Sequence, residues 1–525
     1  MPNFLHDNLT HSALAYPNKD AFRCDSSAIT YKELDESSSR MAGLLQALGV
    51  RKGDCVGVRL RPSIESAISV YGILKAGAAF VPIDPNAPNP RLAELVSTGN
   101  IRIVVTSQLG ENVAACLERA GVTAVIGGAS EQGALLKCLP FSAIHEAPTH
   151  EPVTIDTACP AYVIFTSGST GTPKGIIHTH SSGQAYARLS VETYGVTSAD
   201  RIGNLSPLHF DMATFGYLSA VLAGATTVLI PQSYASLPAS LSSLIESELL
   251  TIWYSVPHAL IQLLERGVLA TRDLTNLRWV MFGGEPFAGS QLRRLREILP
   301  YAAFSNVYGP AEVNQCTFHN IGSANSGEAA PAVHNVPIGR VWKETCGLVV
   351  DGTDSQVSRG EQGQLLIHST TMMSRYWNGT EEDPTTFFIS DDGRRYYRTG
   401  DLVTEAKNGD LIFHGRMDDQ VKIRGYRIEL SEVEQAIAAL SFVEENAVFR
   451  SGSAETSMLE AAVKLRRGQA VTKSQLCQLV SGKLPRYAVP SKVHFVDTFP
   501  RTSSGKIDRN ALQHSVENNK QIEPV

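Results

Sequence analysis

What limits the possible folds of this chain most is its alternation of short apolar runs with longer stretches of helical spacing. CVGVRL (55–60) reads as a strand, and SIESAISVYGILKAG (63–77) as a helix that stops at a glycine. AFVPI (79–83) reads as a strand halted by Asp84-Pro85. IRIVVTS, YVIFTS and ATTVLIP repeat the pattern, each followed by polar or helical sequence. Strands that are apolar at successive positions must be covered on both faces. The fold class expected is therefore α/β, with helices layered over mostly buried sheets. At 525 residues the chain is too long for one simple domain. No fixed-period repeat is visible, which argues against a solenoid.

The pattern changes after about residue 393, where RRYYRTGDLV and GDLIFHGRMDDQVKIRGYRIELSEVEQAIAAL are richer in charge and shorter in period. This change places a domain boundary near Asp418. Ser431 followed by Glu434 has the spacing of a capping box and predicts a helix opened by that serine. The polar stretch Asn510–Val525 reads as a frayed tail.

Charge and cysteine content remove several function classes. Lys and Arg number 46 against 52 Asp and Glu, a net charge of −6. That balance lacks the basic surplus of a nucleic-acid binder or a polybasic membrane anchor. The eight cysteines, at 24, 55, 116, 138, 159, 316, 346 and 477, form no CxxC pair. They fit reduced thiols in a cytoplasmic protein better than a disulfide framework or a zinc ribbon. The N-terminus lacks the basic and apolar regions of a signal peptide, and no apolar run approaches the ~18 residues of a membrane span.

Five segments carry chemistry. In YVIFTSGSTGTPKG (162–175) an apolar strand feeds a loop rich in Thr, Ser and Gly that ends in Lys174. Small residues let backbone N–H groups close on phosphate oxygens, hydroxyls add donors, and the lysine adds a charge. The spacing is not that of a Walker A loop. In NVYGPAEVN (306–314) a stackable ring and a carboxylate flank a Gly-Pro turn, and an acid beside a phosphate loop points to Mg²⁺. YRTGD (397–401) offers Asp401 to a ribose diol. GRMDDQVKIRG (415–425) offers Arg416 as a bidentate phosphate clamp. RTSSGKIDR (501–509) puts a lysine on a Ser/Gly loop. Seen singly, each of the last three could equally be a charged surface turn.

Together and in this order, the segments resemble the adenylate-forming superfamily, which includes acyl- and aryl-CoA synthetases, beetle luciferase and the adenylation domains of nonribosomal peptide synthetases. The resemblance spans about residues 10–509 and includes LKAGAAFVPIDP (74–85), FGGEPF (282–287), QGQLLI (362–367) and LPRYAVP (484–490). It implies ATP and Mg²⁺ as cofactors, a large N-terminal α/β domain over 1–417, and a small C-terminal α+β domain over 418–525 that moves about a hinge at Asp418. It implies that Thr166, Ser167, Gly168, Ser169, Thr170, Gly171 and Lys174 cover the ATP phosphates, with Glu312 and Thr166 on the magnesium side. Tyr308 resembles the ring that stacks on adenine, with Gly283, Gly284 and Asn306 nearby, and Asp401 the ribose ligand. Lys506, Arg416 and Glu312 take the catalytic places, Lys506 bridging the substrate carboxylate and the α-phosphate. One departure stands out: Ala311 occupies the place where most amino-acid-activating relatives have threonine.

The resemblance also narrows the substrate. In SPLHFDMATFG, Asp211 matches the acid that pairs with an amino acid's α-ammonium in peptide-synthetase adenylation domains. An acid within an apolar stretch is costly unless paired. A helix N-cap is the structural alternative. The implied side-chain pocket is Met212, Phe215, Ser255, Val280, Phe282, Val307, Gln315 and Cys316, with Lys506 at the carboxylate. It is mostly apolar, small and uncharged. GGEPF followed by VYGPAEVNQC is most similar to free-standing ligases that load L-proline or another small amino acid onto a carrier protein. No LGGxS attachment serine and no HHxxxDG motif is present. The expected partner is therefore a separate phosphopantetheinylated carrier protein acting in trans. A small-acid CoA ligase and a non-catalytic ATP-binding protein are the competing readings. His209 and the pair His178/His180 are read as structural rather than as a base or a zinc site.

Overall fold

The computed structural model describes residues 3–128, 136–151, 153–168, 172–326, 336–452, 456–501 and 507–519. Two large sheets form the N-terminal domain. In the first, nine strands run in the order Arg340–Val341, Thr317–Ile321, Ala303–Tyr308, Trp279–Gly283, Ile252–Ser255, Arg201–Asn204, Thr226–Leu229, Asp20–Cys24, Ser27–Thr30. The second has eight strands, with Pro160–Thr166, Ala79–Pro82, Cys55–Arg59 and Ile103–Thr106 adjacent at its centre. The apolar runs at 55–60, 79–83, 101–107, 160–166 and 225–231 are all strands, as their composition predicts. Those at 55–59, 79–82, 103–106 and 226–229 are buried at every position because helices cover both faces.

The helix Ile64–Lys75 shows how the layers lock. Ser63 caps it, its hydroxyl accepting from Ser66 N at 3.3 Å. Val70, Tyr71, Ile73 and Leu74 are fully buried against the core that includes Val56, Phe80 and Tyr162. Each such side chain is worth about 1.5–3 kcal/mol relative to exposure. Lys75 is buried as well, its ammonium held by Asp35 at 2.7 Å.

A third, five-stranded antiparallel sheet centres on Gln362–Ser369 and Arg395–Glu405, with Leu411–Arg416 paired to the latter. The small C-terminal domain follows. It holds the hairpin Gln420–Ile423/Tyr426–Glu429 and a three-stranded sheet of Val443–Ser451, Met458–Leu465 and Lys492–Phe495. The helices Leu430–Ala438 and Lys473–Ser481 pack into one core with Val448, Ala461 and Val463 of that sheet.

Two local expectations are corrected. The helix predicted to open at Ser431 begins at Leu430, with Glu429 as its N-cap and no side-chain cap. Glu434 does not turn back on that cap, because Val448 N donates to it at 2.9 Å and Arg509 at 2.8 Å. Within the predicted frayed tail, residues 510–519 belong to a helix that begins at Arg509, and residues 520–525 lie outside the described residues. The helix's Leu512 and Val516, one turn apart, are buried with Phe449 and Phe499. Leu512→Ala should therefore cost about 2–5 kcal/mol, read as a lowered urea midpoint. An unchanged midpoint would mean that this helix does not dock.

Candidate active site

The strands Arg201–Asn204, Ile252–Ser255, Trp279–Gly283 and Ala303–Tyr308 are parallel. Ligands in open α/β sheets collect beyond the carboxyl ends of such strands. The chain leaves these ends as Leu205–Met212, Val256–Ala259, Gly284 and Gly309–Gln315, and all four segments contribute to one cavity of about 460 Å³. The turn after Pro160–Thr166 and the hairpin Gln420–Glu429 close it.

Many of the sequence-predicted residues meet here. Thr166, Ser167, Gly284, Asp401 and Arg416 line the cavity, as do Asp211, Met212, Ser255, Val307 and Gln315. Asp401 and Arg416 face each other as register partners on adjacent strands. Their side chains pair at 2.6 Å, and Tyr308 Oη donates to Asp401 at 2.5 Å. Arg416 also holds Asp418 at 2.6 and 2.7 Å. The Thr166 hydroxyl is buried with no partner among the described residues.

Others stand back from the cavity wall. Val280 and Phe282 lie in the core with Leu260, Leu292 and Phe304. Phe215 packs with Tyr194 and Tyr254, and Cys316 with Tyr308 and Ile367. Asn306 donates to the Val336 and Pro337 carbonyls at 3.2 and 2.8 Å. Gly283 approaches the Val307 carbonyl so closely that a Cβ would clash. Gly168 meets the Thr172 carbonyl in the same way, and the Lys174 ammonium sits 5.7 Å from the centre of the Tyr376 ring. Ser169, Thr170, Gly171 and Lys506 lie outside the described residues.

Asp211 opens a short 3-10 turn that runs into a π turn at Phe215–Ser219. π turns inside helices recur at functional sites. Its Oδ1 accepts from Met212 N at 2.8 Å, and no side-chain cap bond forms at this helix start. Burial pushes the Asp211 carboxyl above the ordinary value of 3.8, against a downward pull from the Lys422 ammonium. His209 lines the cavity, and burial lowers its pKa, so it is neutral near pH 7. His178 is structural: Nε2 meets the Ala311 carbonyl at 2.8 Å, and burial lowers its pKa to about 4.

Sequence reasoning missed the hairpin. Arg427 Nη1 donates to both oxygens of Glu312, at 2.9 and 2.8 Å, and Tyr376 Oη donates to the same carboxylate at 2.7 Å. Glu312 is fully buried. Burial alone would raise its pKa, but Arg427 and Tyr376 hold it down at about 2. The pair is thus intact at neutral pH and is released only as pH falls from 4.5 towards 2. Lys422 is the register partner of Arg427, so both project from one face of the hairpin, and both line the cavity. Like charges directly opposite are unfavourable unless carboxylates face them. Here Glu312, Asp401 and Asp211 do so. That opposed pair in QVKIRGYRIE was the available signal.

Further contacts seat the hairpin. Gly425 N donates to Glu285 at 3.3 Å, and Ser167 Oγ donates to the Arg427 carbonyl at 3.1 Å. Gly425 has φ +82°, and a Cβ there would strike Val256. Tyr426 stacks on Tyr487 at 4.1 Å and meets Phe210 edge-on at 5.1 Å. Arg91 of the large domain pairs with Glu432 of the small one at 3.1 Å.

A layered α/β domain, a smaller domain closed over its strand ends, and a cavity lined by a hydroxyl-bearing loop and an acid–arginine pair are consistent with an enzyme that binds a nucleotide. Residues 9–377 match the AMP-binding enzyme family and residues 432–506 the AMP-binding enzyme C-terminal domain. The chain belongs to this family of adenylate-forming enzymes. It is similar to the L-proline–[L-prolyl-carrier protein] ligase of Pseudomonas fluorescens, 30% identical over 98% of this chain and 99% of that one. It is also 30% identical to tyrocidine synthase 1 of Brevibacillus parabrevis, over 97% of this chain but only 44% of that synthase. Two solved structures share its fold. The amide bond synthetase McbA of Marinactinospora thermotolerans has a TM-score of 0.85 and 23% identity, covering 98% of this chain and 99% of its own. The Vibrio cholerae adenylation domain AlmE with glycyl-adenosine-5'-phosphate has a TM-score of 0.84 and 22% identity, covering 99% and 98%. Among the described residues no helix is long and apolar enough to cross a membrane.

Proposed function

We propose that the protein activates a small neutral amino acid as its aminoacyl-adenylate and passes it to the phosphopantetheine thiol of a separate carrier protein. The observation that carries this reading is the Asp211 carboxylate at the wall of the cavity that also holds Asp401 and Arg416, with the Lys422 ammonium near it. Similarity to a proline–carrier protein ligase along nearly its full length supports it and makes L-proline the first amino acid to assay.

ATP is a substrate here. Thr166 and Ser167 would meet its phosphates, Asp401 the ribose and Tyr308 the adenine. The unpartnered Thr166 hydroxyl fits such a group. In the first step the substrate carboxylate attacks the α-phosphorus and pyrophosphate leaves. Both reactants are anions, so Arg416 and Lys506 would offset charge that grows in the transition state. With the hairpin closed, Arg427 takes both oxygens of Glu312, so Mg²⁺ does not fit at that acid in this arrangement, and no step here runs through the ion. In the second step a thiol attacks the acyl carbonyl and AMP leaves. We assign the domain boundary and a hinge to Asp418, an exposed residue between the last strand of the large domain and the hairpin. The closed hairpin is then the arrangement of the second step.

Supplying a phosphopantetheinylated carrier protein should give thioester product, and replacing it with CoA should not. Efficient transfer to CoA would move the enzyme to the CoA-ligase branch.

A further inference from the structure

The side chain of Gln315 is unusual for a pocket otherwise read as apolar. It lines the cavity, yet it is only 2% exposed. Thr371 Oγ1 donates to the neighbouring Val313 carbonyl at 2.7 Å and to the Gln315 carbonyl at 3.4 Å, which fixes the backbone. The amide nitrogen of Gln315 donates to Tyr194 Oη at 2.6 Å. Its Oε1 is buried and has no partner among the described residues.

The glutamine cannot readily turn to satisfy both ends. Tyr194 is buried with its ring edge-on to Phe215 and Trp279, and its carbonyl accepts from Arg278 at 2.9 Å and from Trp279 Nε1 at 3.0 Å. One amide end is therefore always spent on the tyrosine. Exchanging the two ends would leave the NH₂ unmet instead of the oxygen. A buried polar group is normally paired, so an unmet one on a residue that lines a binding cavity marks where a ligand supplies the partner.

We propose that Gln315 selects a substrate whose side chain carries a hydroxyl, which pairs with the free end of this amide. A hydroxyl both donates and accepts, so it serves either orientation of the glutamine. It is also small and neutral, as the uncharged wall at Met212, Ser255 and Val307 requires. The inference rests on the proposed amino-acid activation. It separates serine, threonine or hydroxyproline from alanine, valine or proline.

The test is ATP–pyrophosphate exchange on three near-isosteric pairs: threonine against valine, serine against alanine, and hydroxyproline against proline. A site built to hydrogen-bond a hydroxyl rejects the analogue that lacks it, so the preferred pair should differ by about 100-fold or more in kcat/KM. Gln315→Leu should bring that ratio close to one, chiefly by slowing the hydroxylated member. Equal or faster exchange with the apolar members of all three pairs overturns this inference alone. Exchange with no amino acid overturns the proposed function, and this inference with it. If Gln315→Leu does not fold, the pair ratios in the unaltered protein decide.

Discussion

Asp211→Ala loses amino-acid activation by about 150- to 5000-fold in kcat/KM, while ATP still binds. The carboxylate sits where burial raises its pKa, with Met212 N donating to one of its oxygens. A substrate ammonium would complete its shell. Removing one partner of such a buried ion pair costs about 3–5 kcal/mol, which gives the stated loss at 1.36 kcal/mol per decade. Nucleotide binding is spared because Asp401, Arg416 and Thr166 come from other segments. A pH profile gives a second reading. The carboxyl is neutral below its raised pKa, so kcat/KM for the amino acid falls on the acid side at a pH above 3.8. Steady-state exchange and an ATP titration on both proteins decide this. Unchanged amino-acid kinetics in the variant would make Asp211 structural.

The second large effect is at Arg427. Replacement by alanine should leave pyrophosphate exchange nearly intact and slow thioester formation by about 150- to 5000-fold. In the closed arrangement the Glu312 carboxylate is fully buried, and Arg427 is its only cationic partner among the described residues. Without the guanidinium that arrangement carries an uncompensated buried charge, at about 3–5 kcal/mol. The penalty falls on closure alone, so it separates the two steps. Parallel assays of exchange and of carrier loading read the split. Equal losses in both would contradict the assignment of the closed hairpin to transfer.

The parts of this structure that were legible in the sequence are those governed by local period. The strand at 55–59, the helix at 64–75 and the turn into Thr166 follow from apolar runs, a serine cap and small residues. Asp211, Asp401 and Arg416 were each singled out by their motifs, whereas the pairing of Asp401 with Arg416 across adjacent strands was not. Nor was the hairpin. Lys422 and Arg427 look like surface charges until the small domain is laid across the cavity, a contact between distant segments that no local pattern encodes. The Ser431 cap failed for the same reason, since Glu434 is claimed by Val448 and by Arg509 from far along the chain. The C-terminal helix was obscured by polar composition, although the spacing of Leu512 and Val516 was there to be read. Val280 and Phe282, expected at the pocket wall, belong to the core beneath it, because alternation along their strand sends both to the face with Leu292.

Recognition of an α-ammonium by Asp211, while the cavity activates the attached carboxylate, is the feature on which the proposed function turns. ATP–pyrophosphate exchange with small neutral amino acids, each beside the same acid lacking its amine, tests it most directly. The expected result is exchange with one or two of the amino acids and little with their deaminated counterparts. Exchange only with the acids that lack an amine would contradict it.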